Sequence, residues 1–230
     1  MCSDNMYLAY LSEVIFMKNK KLIYILGILG VISFISYLSA VLFSPLAYPG
    51  YNPLTQAVSD LSAVNAPSLR LWNILSCFYG PFSLLTVTLC SIVISETKAN
   101  KLIKIGVYVF ALMNYISSIG YSLFPLTEAG YAGTFQDIMH VYVVTALVVI
   151  TSIIGLVLIG IGGLKNNTSR FLGIFAFISL GFMMLGAIGT GALPKSIFGI
   201  FERFSTLSAS FYVAILGIWL FKDAKLNEVK

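Results

Sequence analysis

The sequence predicts an all-α membrane protein, a polytopic bundle of six transmembrane helices with a short amphipathic helix in the first outer loop. Of the 230 residues, 58% are hydrophobic and only 10% are charged, whereas a soluble domain usually carries about 25% charged residues. The apolar residues also form six stretches, each of roughly the 20 residues that a helix needs to cross a bilayer. We therefore expect one six-helix membrane domain over residues 22–221 and no second domain.

The six predicted spans are 22–43, 71–94, 102–124, 135–164, 171–193 and 201–221. Pro45, Pro125 and Pro194 follow the first, third and fifth spans, and proline cannot continue a helix. Thr134, with Asp137 three residues later, predicts a capping box at the start of the fourth span, in which hydroxyl and carboxylate bond free amides of the first turn.

Residues 1–21 are predicted to be a cytoplasmic N-terminal segment, and residues 222–230 a cytoplasmic tail. Residues 1–16 carry no organised charge, whereas Met17 begins a basic stretch that leads directly into the first apolar run. We expect translation to begin at Met17, so that residues 1–16 are either not native or a disordered tail. The apolar run is longer than that of a signal peptide, which predicts a retained first span.

The basic residues decide the predicted orientation. Eleven of the fourteen are at one face of the membrane: Lys18, Lys20, Lys21, Lys98, Lys101, Lys104, Lys165, Arg170, Lys222, Lys225 and Lys230. The opposite face has only Arg70, Lys195 and Arg203. Cytoplasmic loops carry the excess of lysine and arginine, so both termini are predicted to be cytoplasmic in a multi-pass protein of the plasma membrane.

Composition also limits the partners and cofactors. The net charge of +5 comes mostly from lysines and arginines at helix ends, not from a basic stripe interleaved with aromatics, so no nucleic-acid partner is expected. The single histidine and three cysteines give no metal-ligand spacing, so neither a metal nor another cofactor is expected. Membrane lipids are the expected partners. No predicted span carries a charge near its middle, which disfavours an ion-coupled pump.

The loop between the first two spans is the longest connection. Asn52 followed by Pro53 is typical of a helix N-cap with proline at the first helical position. Four apolar residues then share one helical face: Leu54, Ala57, Val58 and Leu61. The pattern predicts a short amphipathic helix at the outer interface, with Ser59 and Asp60 as binding candidates on its polar face. The alternative is a solvated connecting turn.

Asp137 and His140 are the candidate catalytic pair. They are three residues apart at the start of the fourth span, so both side chains point to the same side of a helix. A carboxylate beside an imidazole can orient it for proton transfer. In the alternative, Asp137 only caps the helix and His140 lies among lipid headgroups.

Glu202 and Arg203 open the sixth span and are the remaining binding candidates. Glu202 suits the positive N-terminus of a helix. Arg203 is either an anchor for an anionic group or a side chain that extends to phosphate headgroups. In the third span, Asn114, Ser118 and Tyr121 follow helical spacing and are expected to form interhelical hydrogen bonds.

Three segments resemble a known family: SPLAYPGYNPLTQAVSDLSAVNAP, FPLTEAG with TFQDIMH, and GIFERFSTL. They are similar to the uncharacterised membrane family named domain of unknown function nine-nine-eight, over about residues 21–220. The resemblance implies a prokaryotic-type protein of six helices, and it implies no activity, ligand or catalytic residue.

Three hypotheses remain open from the sequence. The first is a non-enzymatic membrane protein whose outer rim binds a lipid headgroup or a small anion through Ser59, Asp60, His140, Glu202 and Arg203. The second is an interfacial enzyme that acts on a lipid with Asp137 and His140 as its acid–base pair. The third is a small-molecule transporter, which the uncharged spans disfavour.

Overall fold

The computed structural model describes residues 22–23, 25–165 and 169–228, with side chains as far as residue 222. The α-helices are α1 (Ile28–Phe43), α2 (Leu69–Leu75), α3 (Tyr79–Glu96), α4 (Lys101–Leu123), α5 (Phe135–Ile138), α6 (Thr145–Leu164), α7 (Arg170–Ala192) and α8 (Phe198–Glu228). A π-helix, Met139–Val144, joins α5 to α6, and 3-10 helices form at Ser44–Ala47, Ser59–Ser62 and Lys195–Ile197. No strand occurs in these ranges, so the all-α prediction is confirmed.

Six helical segments are long and apolar enough to cross a membrane. They are Ile28–Ala47, Leu69–Glu96, Lys101–Leu123, Phe135–Leu164, Arg170–Ala192 and Lys195–Lys222, which confirms the predicted number of spans. Each span packs against the next in chain order, the sixth packs against the first, and the sixth also contacts the second. The sixth span is therefore the most enclosed, with 56% of its most apolar stretch buried against 33–39% in the others.

Two spans that the sequence predicted as continuous helices are interrupted. The second span breaks at residues 76–78, between α2 and α3, because Pro81 lacks the amide hydrogen that would bond the carbonyl of Cys77. The fourth span contains the π-helix, where the amide of Thr145 bonds the carbonyl of His140 five residues earlier. Such π-helical turns are frequent at functional sites.

Glycines set the closest approaches between spans. A Cβ added to Gly30 would lie 2.7 Å from the carbonyl oxygen of Val213, and one added to Gly173 would lie 2.8 Å from the amide nitrogen of Leu164. Both distances are below van der Waals contact, so only glycine permits these helix crossings. A Cβ added to Gly181, in the same helix as Gly173, would meet no atom of the described residues within 4 Å beyond the backbone of its own helix. Gly181 therefore does not set a close approach between spans.

Two loops cover one end of the bundle, and we call residues 44–68 and 124–134 the crown. The amide of Val64 in the first crown loop donates to the carbonyl of Leu126 in the second, at 2.9 Å. Leu126 packs against the buried side chains of Ala63 and Ala66. The two loops therefore form one connected layer.

The short amphipathic helix predicted in the first crown loop does not form as one continuous helix. The Asn52 side chain does accept from the amide of Leu54, at 3.0 Å, but only a turn follows, and a separate 3-10 helix covers Ser59–Ser62. The helix stops because the amides of Ala57 and Val58 bond carboxylate side chains instead of backbone carbonyls. Asn52 therefore stabilises a turn instead of capping a helix, and the predicted helix is corrected to two short turns.

The predicted N-terminal segment 1–21 and the start at Met17 lie outside the described residues. The same is true of the last two residues of the predicted tail, and of the side chains of residues 223–228.

Candidate binding site below the crown

Arg203, in the first turns of α8, is bound to the first crown loop. Its guanidinium donates to the carbonyl oxygens of Pro53 (2.8 Å), Gln56 (3.2 Å) and Gly199 (2.7 Å), and to the hydroxyl of Tyr51 (2.7 Å). The Tyr51 hydroxyl in turn donates to the carbonyl of Ala57, at 2.7 Å. Both terminal nitrogens of Arg203 are thus engaged by protein oxygens, so the arginine acts as a clamp on the loop.

Tyr51 is held tightly by this arrangement. Burial raises the pKa of its hydroxyl from 10.0 to about 12, although the neighbouring Arg203 guanidinium acts to lower it. The hydroxyl therefore stays protonated at any physiological pH. A protonated hydroxyl can accept from Arg203 and donate to Ala57 at once, which closes the hydrogen-bonded chain between α8 and the loop.

Glu202, the neighbour of Arg203, holds the next part of the same loop. Its Oε2 atom accepts from the amide of Val58 at 2.6 Å, and the amide of Ser59 lies near the carboxylate. A further backbone bond, from the amide of Gly199 to the carbonyl of Leu54 at 2.9 Å, fixes the loop to the start of the sixth span. Glu202 therefore fixes the first crown loop to the start of α8.

Asp60 joins the two crown loops. Its Oδ2 atom accepts from the amide of Ala57 at 3.2 Å, and its Oδ1 atom accepts from the amide of Gly130 at 3.0 Å. The side chain is only 5% exposed, and a buried carboxylate needs such partners to offset its desolvation. Gly130 has a φ of 82°, a conformation that glycine adopts without strain.

Asp137 organises the second crown loop. Its carboxylate accepts from the amide and hydroxyl of Thr127 (both 2.8 Å to Oδ1) and from the amides of Ala132 (3.1 Å) and Thr134 (3.2 Å). The Thr134 hydroxyl accepts from the amide of Asp137 at 3.2 Å, so the predicted capping box is confirmed. Tyr131 in this loop has a φ of 76°, unusual for a bulky residue, which indicates that surrounding contacts force the loop conformation.

His140 lies in the π-helix and is 8% exposed. Its Nδ1 is 2.7 Å from the carbonyl oxygen of Phe124, and since a carbonyl can only accept, Nδ1 carries the proton. The Thr145 hydroxyl donates to the carbonyl of His140 at 2.8 Å, and the Tyr121 hydroxyl donates to Thr145 at 2.9 Å. The Tyr121 ring also packs on the imidazole, with centroids 4.6 Å apart. The π-helix thus allows Thr145 and His140 of the fourth span to contact Tyr121 of the third span.

Five side chains below the crown form what we call the polar layer: Tyr37, Tyr79, Tyr121, His140 and Glu202. The rings of Tyr37 and Tyr79 are 4.4 Å apart, and Tyr37 packs against Val58, the residue whose amide Glu202 binds. The hydroxyl of Tyr121 interacts electrostatically with Glu202 and with Tyr79. Five of the six spans therefore contribute a polar or ionisable side chain to the same region.

The structure brings together some of the residues that the sequence singled out. Ser59, Asp60, Glu202 and Arg203 meet on the first crown loop, and Asp60 connects them to the second. Among the described residues, Asp137 makes no hydrogen bond to His140, because its carboxylate is turned toward the loop. No group of three or more histidine, cysteine, aspartate or glutamate side chains suited to a metal ion occurs in the described ranges.

Sequence reasoning missed Tyr37 and Tyr79, which lie within apolar spans. A tyrosine in such a span carries a hydroxyl that needs a partner, and the hydroxyl of Tyr37 lies near Thr206 while that of Tyr79 lies near Ser117. The expected bonds of the third span are confirmed: Ser83 donates to Asn114 at 2.7 Å, and Tyr121 bonds Thr145 as described above.

Comparison with known proteins gives one match. The family described as "Protein of unknown function (DUF998)" matches residues 31–219 of the chain, in agreement with the resemblance found in the sequence. No curated protein and no solved structure matches it.

Proposed function

The chain belongs to the DUF998 family of membrane proteins, whose function is unknown, and from its geometry we propose that it binds the polar headgroup of a membrane lipid below the crown. The observation that carries this proposal is the environment of His140, which is only 8% exposed. One of its ring nitrogens bonds the carbonyl of Phe124. The other ring nitrogen has no hydrogen-bond partner among the described residues. The second ring nitrogen can accept a hydrogen bond from a group outside the protein, and a headgroup is one that the membrane supplies.

The buried carboxylates of the crown region favour a binding role for the two loops over a merely connecting role. Loops usually run over the surface and need no buried charge, yet Asp60 is 5% exposed within the crown and Asp137, just after it, is 0% exposed. Buried carboxylates are costly unless they are paired or hydrogen-bonded. Here they fix two loops above the polar layer, and a fixed boundary is what a specific binding site requires.

The charge distribution supports an outward-facing crown. The crown and its flanking helix ends contain Arg70, Lys195 and Arg203, whereas the other eleven lysines and arginines belong to the opposite end or to the terminal segments. The positive-inside rule then places the crown at the outer face of the cell membrane and both termini in the cytoplasm. The ligand on this proposal is a lipid of the outer leaflet.

Large apolar side chains around the crown favour a lipid over a soluble molecule. Leu46, Phe135 and Leu54 are 82%, 69% and 51% exposed, which suits contact with acyl chains next to the headgroup region. Tyr142 and Tyr131 are also exposed and have ring centroids 5.9 Å apart, as is typical of aromatic residues at a membrane interface.

Binding is favoured over catalysis because of where Asp137 points. The carboxylate bonds Thr127, Ala132 and Thr134, so it neither orients nor charges the imidazole of His140 through a direct bond. Among the described residues, no side chain bonds the second ring nitrogen of His140 to complete an acid–base pair.

Native mass spectrometry of the purified protein tests the proposal. Dioleoyl phosphatidylethanolamine and dioleoyl phosphatidylglycerol are added separately to lipid-depleted protein in detergent. We expect one molecule of at least one of them to bind, and His140→Asn to weaken that binding by at least about fivefold, since asparagine keeps a donor for Phe124 but loses the ring acceptor. The exposed Lys195→Gln is the control and should bind as the wild type does.

Two results would count against the proposal. Equal adducts of both lipids on the wild type and on His140→Asn, at matched melting temperatures, would show that the lipid is bound elsewhere. Conversion of either lipid by the wild-type protein, measured by chromatography after incubation, would instead favour the interfacial enzyme.

A further inference from the structure

A groove lies beside α2, at the crown end of the second span. It has a volume of about 690 Å³, and its lining residues are Leu69, Arg70, Asn73, Ile74 and Cys77. The first four belong to α2, and the last lies in the break between α2 and α3. Since Arg70 and Asn73 are three residues apart in one helix, their side chains lie on the same face. One cation and one amide can therefore reach the same ligand in this groove.

The charge of Arg70 is available to a ligand, unlike that of Arg203. Among the described residues, neither the guanidinium of Arg70 nor the side-chain amide of Asn73 takes part in a hydrogen bond or an ion pair. Both side chains are exposed, although they belong to a segment apolar enough to span a membrane. Ionisable residues in such segments are rare and mark functional sites by default. An arginine is charged at any physiological pH, so the groove favours an anion.

The surface below the groove is apolar and exposed. From α2 into α3, toward the middle of the membrane, Ile74, Phe78 and Leu85 are 60%, 51% and 38% exposed. At about 1.5 Å per helical residue, Leu85 is roughly 20 Å farther along the span than Arg70. That distance covers the roughly 15 Å of hydrocarbon in one leaflet. A ligand with an anionic head at the groove and an acyl chain below it would match both parts of this surface.

From this arrangement we propose that the groove binds the phosphate of a phospholipid in the leaflet beside the crown, with Arg70 and Asn73 as hydrogen-bond donors. The planar guanidinium can donate two parallel hydrogen bonds to phosphate oxygens, and the asparagine amide supplies further donors. A lipid is favoured over a free anion because exposed apolar residues continue directly below the cation. His140 is not among the residues that line the groove, so this site does not rest on the proposed function.

Native mass spectrometry with dioleoyl phosphatidic acid and dioleoylglycerol tests the phosphate, because these lipids share their acyl chains and differ only in that group. The wild type should retain the phosphatidic acid at least about tenfold better, the size expected for one charge-assisted hydrogen bond. Arg70→Gln should weaken its binding about tenfold at an unchanged melting temperature. Lys195→Gln removes an exposed cation from the same end of the bundle and should bind as the wild type does. His140→Asn should keep the adduct that Arg70→Gln loses, so a failure of either proposal is visible by itself.

A phosphatidic acid with a photoreactive diazirine on its acyl chain localises the site on the wild-type protein and needs no variant. After illumination, peptide mapping should find cross-links within residues 74–85. Cross-links found only elsewhere, or equal binding by the wild type and Arg70→Gln, would overturn the inference. Displacement of the lipid by millimolar inorganic phosphate would assign the groove to a free anion instead. A wild-type dimer that Arg70→Gln abolishes would assign it to a second copy of the chain, and either result overturns the lipid site.

Discussion

Replacing Arg203 by methionine is expected to release the first crown loop from α8. The guanidinium donates four hydrogen bonds, of which the one to Gly199 stays within its own helix region and the other three reach Pro53, Gln56 and Tyr51 in the loop. Methionine has a similar length and no donor, so the substitution removes these three bonds without a large change in volume.

The size of the effect follows from those bonds. A hydrogen bond to a charged group contributes about 1.5–3 kcal/mol when buried, but Arg203 is partly exposed and its bond to Pro53 is solvent-accessible. We therefore assign about 1 kcal/mol to each and expect the loop to be destabilised by about 3 kcal/mol in Arg203→Met. That corresponds to opening of the loop about a hundredfold more often. Arg203→Lys keeps the charge but not the forked geometry, so about half of the loss is expected.

Hydrogen–deuterium exchange of the protein in detergent measures this opening. The amides of Ala57 and Val58 are bonded in the closed loop, and a peptide that covers residues 54–61 reports on them. Lys195→Met is the matched control, since Lys195 is exposed at the same end of the bundle and bonds no described residue of the loop. Exchange over residues 54–61 that rises no more in Arg203→Met than in Lys195→Met would refute the clamp.

Two further predictions concern helix packing and pH. Gly173→Ala should lower the midpoint of thermal unfolding, because its Cβ would lie 2.8 Å from the amide nitrogen of Leu164 and overpacking costs about 1–3 kcal/mol. Gly181→Ala, in the same helix, places its Cβ in open space. That variant should be neutral or stabilising by up to about 1 kcal/mol. Equal unfolding midpoints for the two variants would contradict the close approach of α6 to Gly173. Burial raises the pKa of Tyr51 from 10.0 to about 12 against the lowering effect of Arg203, so the folded state holds this proton more tightly and stability falls as pH rises from about 10 to about 12. Tyr51→Phe should show a shallower loss over that window in chemical unfolding, and an identical slope would contradict the assignment.

The sequence could predict much of the fold because lipid imposes a simple rule. Every backbone polar group inside a bilayer must be bonded within its own segment, so an apolar stretch of sufficient length is a helix, and the six predicted spans agree with the six observed. Local signals were equally readable, and the capping box of Thr134 and Asp137 formed as expected. The breaks in the second and fourth spans were not foreseen, although Pro81 was a visible signal for the first of them.

The loops were harder to predict because their partners are distant in sequence. The pattern from Pro53 to Ser62 is that of an amphipathic helix, but the Val58 amide bonds Glu202, which is 144 residues away, and only short turns form. Arg203 was hard to interpret for the same reason. A count of charges treats it as a cation available at the outer face, but it donates to four protein oxygens.

By itself, then, the sequence determined the class of protein, the number of spans and the capping box of Thr134 and Asp137, because these follow from local hydropathy and spacing. Only the tertiary structure decided what the polar residues do. In the structure Asp137 bonds Thr127 instead of His140, Arg203 holds the first crown loop, and Tyr37 packs against Val58, whose amide Glu202 binds. Those outcomes depend on which spans meet and at what depth, since a buried polar atom bonds whatever partner the packing brings within reach.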